Sequence, residues 1–392
     1  MFHGRRINKI FSFVVLFAVV LLMAACGPKA RVPVSQLDTP EHHVFTGMRL
    51  LDQEKYADAQ REFDLALSLD EKYSKAYTGI GLVKTYMTPA DYKGAWDHLK
   101  KGAKYAEASD EKLMNKASHI RYYTQSKLEK KWLDLAKDEF DDAVKIDPKY
   151  SAAYYFMGLA YKQAYDFNAA GRMFTKVLEL KTDYVTQADR EWNFIQKVQR
   201  AMPGSLTGKQ IALVERINRA DAAALFMEEL KIDVLYKKRT PKTFDSSFQD
   251  PEKAGKSAGS VKKTARDIAD HPLKADIEGI LEIGVRGLEI YPDGNYHPAE
   301  LVTRAAYAMM LEDILIKVTG DNALATRFIG STSPFPDLRA DLPYFNAVMV
   351  VTSRGIMEAR DMASGEFAPL KPVAGVDALL IIRKVKEELK FN

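Results

Sequence analysis

Residues 277–315 read IEGILEIGVRGLEIYPDGNYHPAELVTRAAYAMMLEDIL. An amphipathic helix ends at Gly284, the residue type that best tolerates the left-handed turn closing a helix. Pro292-Asp293-Gly294 supplies turn chemistry, and Pro298 ends a compact loop. Thr303 stands where an N-cap belongs, ahead of a second helical run that opens at Arg304.

The pattern recurs along the chain. From Pro272 to Gly284 is 12 residues and from Gly284 to Pro298 is 14, and Pro343, Gly355 and Pro369 repeat both intervals. Phe248-Gln249-Asp250 and Phe335-Pro336-Asp337 open these two copies. A partial earlier copy survives as Ile217-Asn218-Arg219-Ala220-Asp221, where Asn218 caps a helix and Asp221 completes a capping box. At the corresponding place after Thr303 stands Ala306, so the reciprocal bond is lost there. The last copy reads Val373-Ala374-Gly375-Val376-Asp377. An arginine beside free helix N–H groups is a natural seat for a carboxylate, phosphate or ketal-linked pyruvate.

On these residues the C-terminal half resembles the S-layer homology (SLH) module. The resemblance implies a three-lobed helical unit that holds a cell-wall polymer. It gives Arg219 and Arg304 the glycan contact, beside the capping residues Asn218 and Thr303. Gly375 stands where the third arginine belongs, and His271-Pro272 replaces an aromatic residue common in the family. The same pattern also fits lobes that serve architecture alone. Residues 250–266, DPEKAGKSAGSVKKTAR, form an insertion between the first two copies and read as a surface loop.

Ahead of this half, a second repeat runs from about His42 to Lys181. Its clearest copy sets Tyr154, Gly158 and Tyr161 on one helix and Ala170 and Phe174 on the next. Gly47, Ala59 and Phe63, then Gly81, Ala95 and Leu99, then Ala136 and Phe140 give the earlier copies, with Thr124 in the small-residue place of the third. Small residues let paired helices approach, and the large ones fill the space between neighbours. The array resembles the tetratricopeptide repeat (TPR), a helix-turn-helix unit of about 34 residues that stacks into a solenoid. That resemblance implies a groove open to a peptide or protein client. Tyr184–Met202 reads as a capping helix ended by Pro203-Gly204.

The N-terminus carries Arg5, Arg6 and Lys9, the apolar run Ile10–Leu22 and Met23-Ala24-Ala25-Cys26. That order reads as a secretory signal, too short for a comfortable transmembrane helix. Ending on the only cysteine, it resembles a bacterial lipoprotein signal, which implies acylation of Cys26. Gly27 follows the cysteine, and in that family the absence of Asp there favours an outer membrane. Gly27–Pro40, with three prolines, reads as a tether.

Composition excludes several classes. Removing the signal leaves 54 basic against 53 acidic residues, so charge balance makes no case for nucleic acid. One cysteine allows no intrachain disulfide and no cysteine zinc cluster. Gly255-Lys256-Ser257-Ala258-Gly259 has the letters of a nucleophile elbow but lies in the insertion, with no strand before it. Gly204–Lys209 is one residue short of a phosphate loop, and no H-E-x-x-H occurs.

The expectation is therefore a mainly α chain: signal 1–25, tether 26–40, TPR solenoid 41–202 and a three-lobed helical SLH-like domain 203–392. The expected function is non-enzymatic attachment without cofactor or metal. A lipid at Cys26 would hold the chain in the outer membrane facing the periplasm, or on the outer face of the plasma membrane in a one-membrane cell. Arg219 and Arg304 would hold peptidoglycan or an associated wall polymer. The alternative is a TPR assembly scaffold for an exported protein, with purely structural SLH lobes.

Overall fold

The computed structural model describes residues 31–239 and 265–391. Cys26, the signal, most of the insertion and the Phe248-Gln249-Asp250 signature lie outside the described residues. Within them the chain is mainly helical, and the only extended pairings are the isolated bridges Asn218–Leu301 and Thr303–Pro372. Two compact units divide between Asp189 and Arg190.

The first unit holds α1 (Pro40–Asp52), α2 (Tyr56–Leu69), α3 (Ser74–Tyr86), α4 (Tyr92–Tyr105), α5 (Ser109–Ser126), α6 (Trp132–Ile146), α7 (Ser151–Gln163) and α8 (Phe167–Leu180). Each odd helix packs most heavily on the even one after it, and α1, α3, α5 and α7 also touch in succession. Local chemistry sets the starts: Thr39 caps α1 with Pro40 at its first position, and Asp91 and Asp166 accept from Gly94 and Ala169 at 2.8 and 2.9 Å. The glycine positions do what their spacing predicts. A Cβ at Gly158 would lie 2.6 Å from the Phe174 ring, one at Gly47 2.6 Å from Phe63, and one at Gly81 2.7 Å from Leu99. Phe63, Leu99 and Phe174 are fully buried.

The domain boundary differs from expectation. It falls inside α9 (Val185–Ala201) rather than at Pro203. The physical reason is that the lower half of α9 packs with later residues: Arg383 donates to the Arg200 carbonyl, and Lys197 and Arg200 line a groove with Arg304.

The second unit continues with α10 (Leu206–Ala212), α11 (Arg219–Ala224) running into a π-turn at Leu225–Glu229, α12 (Ile232–Arg239), α13 (Lys274–Ile283), α14 (Arg304–Thr319), α15 (Phe345–Ser353) and α16 (Gly375–Phe391). Three backbone bonds close a ring at its centre: Ile217 N–H to Val373 C=O, Val302 N–H to Ile217 C=O, and Val373 N–H to Val302 C=O, at 2.9, 3.0 and 3.1 Å. All three side chains are buried. The second residue after each ring member opens a helix, so the ring aligns α11, α14 and α16.

The loops repeat as well. Asp337 accepts from the Phe367 and Ala368 N–H groups at 2.9 and 2.7 Å, and Asp267 accepts from Tyr296 and His297 at 2.8 Å each. His297 and Ala368 both adopt left-handed φ, 56° and 57°, just before Pro298 and Pro369. Asp267 thus fills the place that sequence reading gave to Asp250. Ala265 is buried and the Arg266 N–H donates to Gly294, so the insertion ends before residue 265.

Candidate functional site

Asn218 accepts from the Asp221 N–H at 2.8 Å and Asp221 answers at 3.0 Å, giving the expected capping box on α11. Thr303 accepts from Ala306 at 3.2 Å with no reciprocal bond. The helix N–H groups beside the arginines are not free, however. Arg219 and Ala220 donate to Glu300 and Pro298, and Arg304 and Ala305 donate to Lys371 and Pro369. An anion at either helix start must therefore be held by side chains.

The two arginine side chains differ. Arg219 reaches the next loop and donates Nε to Tyr296 O at 2.9 Å, Nη1 to Gly287 O at 2.5 Å and Nη2 to Glu289 O at 2.7 Å. Its guanidinium lies 4.7 Å from the ring centres of both Tyr291 and Tyr296, with the Glu300 carboxylate 3.9 Å away. Every nitrogen is spent, so Arg219 staples the loop. Arg304 makes the matching Nε bond to Phe367 O at 2.7 Å and an Nη2 bond to Glu358 O at 2.6 Å, over the Phe367 ring. Its Nη1 has no partner among the described residues.

Arg304 lines an open groove of roughly 640 Å³ with Lys197, Arg200, Arg360, Asp377 and Lys384. Five cations face two carboxylates, Glu358 and Asp377, and Lys384 pairs with Glu358 at 2.5 Å. Burial pulls the Arg304 pKa below its ordinary value, and the nearby Arg360 charge adds to this against the pull of Asp377. A cation held beside another cation is relieved by an anion from outside.

The third position is closed. The Gly375 N–H donates to Val214 O at 2.9 Å, and a Cβ on Gly375 would lie 1.7 Å from Ile211 O. Backbone occupies the space a side chain would need.

The rejected phosphate-loop sequence has a structural use. Buried Glu229 accepts from the Gly204 N–H, the Ser205 N–H and the Ser205 hydroxyl at 2.8–3.1 Å. The chain's own carboxylate fills that backbone cradle.

The first unit offers one cationic position that sequence reading missed. Arg121 on α5 lies 5.0 Å from the Tyr86 ring centre and 4.6 Å from that of Phe156, and its Nε donates to the Tyr86 hydroxyl at 3.2 Å. Burial lowers its pKa, but the field of Tyr86, Tyr184 and Asp52 outweighs this and leaves it raised. No signal in the repeat spacing marks it.

Among the described residues no group of three or more His, Cys, Asp or Glu side chains is placed to hold a metal ion, and no helix is long and apolar enough to cross a membrane. In comparisons with family models, curated proteins and solved structures, nothing matches this chain.

Proposed function

We propose that this chain is a non-enzymatic attachment protein of the cell envelope. A lipid on Cys26 anchors it in the outer membrane facing the periplasm, or on the outer face of the plasma membrane where a cell has one membrane. The hairpins of α1–α8 act as a TPR solenoid that spaces the anchor from the second unit or recruits a protein. The second unit acts as a three-lobed SLH-like module that grips peptidoglycan or an associated anionic polymer.

One observation carries the reading: the Arg304 groove gathers five cations against two carboxylates and leaves Arg304 Nη1 without a protein partner among the described residues. Guanidinium groups recognise planar carboxylates and phosphates through paired N–H donors. The bond pattern of Arg219, with each nitrogen on a loop carbonyl, favours Arg304 and its neighbours as the contact. The mature chain is expected to sediment with purified sacculi and to be released progressively by salt, since the groove is open and partly screened. A chain that stays in the supernatant at low salt sinks the attachment reading.

Arg121 favours the scaffold as a second reading. Its guanidinium, set between two rings, suits an acidic group of a protein client. Under that reading Arg121→Ala abolishes capture of the client while sacculus binding is unchanged.

A further inference from the structure

Residues 31–38, RVPVSQLD, form a loop closed at its base. Arg31 clamps Asp38 with both terminal nitrogens, Nη1 to Oδ2 at 2.8 Å and Nη2 to Oδ1 at 2.6 Å. The same carboxylate accepts from the Val34 N–H at 2.7 Å and from His43 Nε2 at 2.9 Å. The base is stitched to the helices behind it. Arg31 N–H donates to Ser68 O at 2.7 Å, its Nε to Ser68 Oγ at 3.2 Å, and His43 Nδ1 meets Glu62 at 2.7 Å. Asp38 is only 6% exposed despite its place in a surface loop.

What this base holds up is apolar. Val32, Val34 and Leu37 are 76%, 83% and 66% exposed, Pro33 is exposed, and residues 32–37 carry no charge. Ordering a loop costs chain entropy, and exposed side chains return none of it by leaving water. A rigid base under an uncharged apolar tip fits a surface that the tip enters.

Chain length limits which surface that is. Fully extended, six residues span about 20 Å and eight about 28 Å, so Val32 and Val34 cannot lie farther than that from Cys26. We infer that the loop Arg31–Asp38 is a lipid-contact element, with Val32, Val34 and Leu37 entering the membrane interface beside the anchor. The inference rests on the lipid-anchor reading of Cys26. A single acyl chain holds a protein only marginally, and added apolar contacts strengthen attachment. They also fix the first helices of the array near the membrane instead of leaving them on a free tether.

The sole cysteine makes a clean test. The chain from Cys26 onward, carrying Val34→Trp, is coupled through its thiol to maleimide phospholipid in phosphatidylethanolamine–phosphatidylglycerol vesicles. Brominated acyl chains quench tryptophan only where it enters the bilayer. The expected result is loss of most of the emission added by the Val34→Trp substitution, with none lost from a Leu128→Trp control. That emission should recover when Val32→Asp and Leu37→Asp are added. An introduced tryptophan that stays unquenched overturns the inference, as does quenching that survives the two aspartates, which would show proximity through the tether alone. The coupling bypasses cellular acylation, so failure of the anchor reading shows separately, as Cys26→Ser precursor that is processed and labelled by palmitate like the parent.

Discussion

Arg219 and Arg304 occupy one register in successive copies and both are buried, yet every nitrogen of the first is bonded while the second lines a groove with Nη1 unbonded among the described residues. Their loops align residue for residue: Gly287 with Glu358, Glu289 with Arg360, Tyr291 with Met362, Tyr296 with Phe367 and Glu300 with Lys371. Around Arg219 the chain places a ring over the guanidinium, the Glu300 carboxylate 3.9 Å away and the Glu289 carboxylate on the Gly287 N–H at 2.8 Å. At the matching positions stand Met362, 80% exposed, Arg360, which lines the groove, and Lys371, whose carbonyl accepts from the Arg304 N–H. The shared part of the geometry, Nε to a loop carbonyl, ties each helix start to a later loop. The exchanged part sets whether the guanidinium is wholly consumed by the fold or lines a groove.

The largest effect expected from this contrast is on stability. Arg219→Ala strips donors from three carbonyls in a buried site and should cost about 3–5 kcal/mol in urea melts of the full chain. Arg304→Ala leaves two carbonyls bare instead of three and should cost less, about 2–3 kcal/mol. Equal losses would break the comparison between the fully and the partly bonded arginine.

A smaller loss is expected at the third position. Gly375→Ala drives a methyl into backbone, and overpacking of this kind costs about 1–3 kcal/mol, here toward the upper end because Ile211 O cannot rotate away. Gly158→Ala in the first unit meets a side chain, the Phe174 ring at 2.6 Å, in place of backbone at 1.7 Å, and should fall lower, about 1–2 kcal/mol. A Gly158 variant costlier than the Gly375 one would reverse the distinction between backbone and side-chain neighbours.

The smallest effect is on pH dependence. His43 lies between two carboxylates, with both ring nitrogens in bonding distance. Burial pulls its pKa down, but Glu62 and Asp38 together more than offset this and hold it above the ordinary imidazole value. Its contribution to stability is present below the unfolded pKa and is lost as pH rises through the raised folded one. A ¹H–¹³C titration of His43 should show the raised midpoint. Sacculus binding should stay flat over the same range, because lysine and arginine keep their charge. Binding that falls in step with His43 would tie the groove to the wrong titrating group.

Much of the architecture was legible. The Gly158–Phe174 and Gly47–Phe63 contacts follow from repeat spacing, and so do the caps at Asn218 and Thr303. The staple role of Arg219 was not, because its acceptors are backbone carbonyls, which every residue carries alike. The exchange of Glu289 for Arg360 is readable once the copies are set in register. Asp267 could also have been found by counting. It precedes its partner Tyr296 by 29 residues, and Asp337 precedes Phe367 by 30. The boundary inside α9 was hidden because one unbroken helix serves both units.

The central claim is that the charge exchange, and not the arginine itself, opens the groove to an anion. It is tested most directly by exchanging the charges while both arginines stay in place. Arg360→Glu should release the mature chain from purified sacculi, with melting unchanged, because the side chain lines the groove and is exposed. Glu289→Arg with Glu300→Lys should leave retention near that of the parent, since Tyr291 and the three carbonyls still seal Arg219. Retention of the first variant at the parent's level would contradict the account.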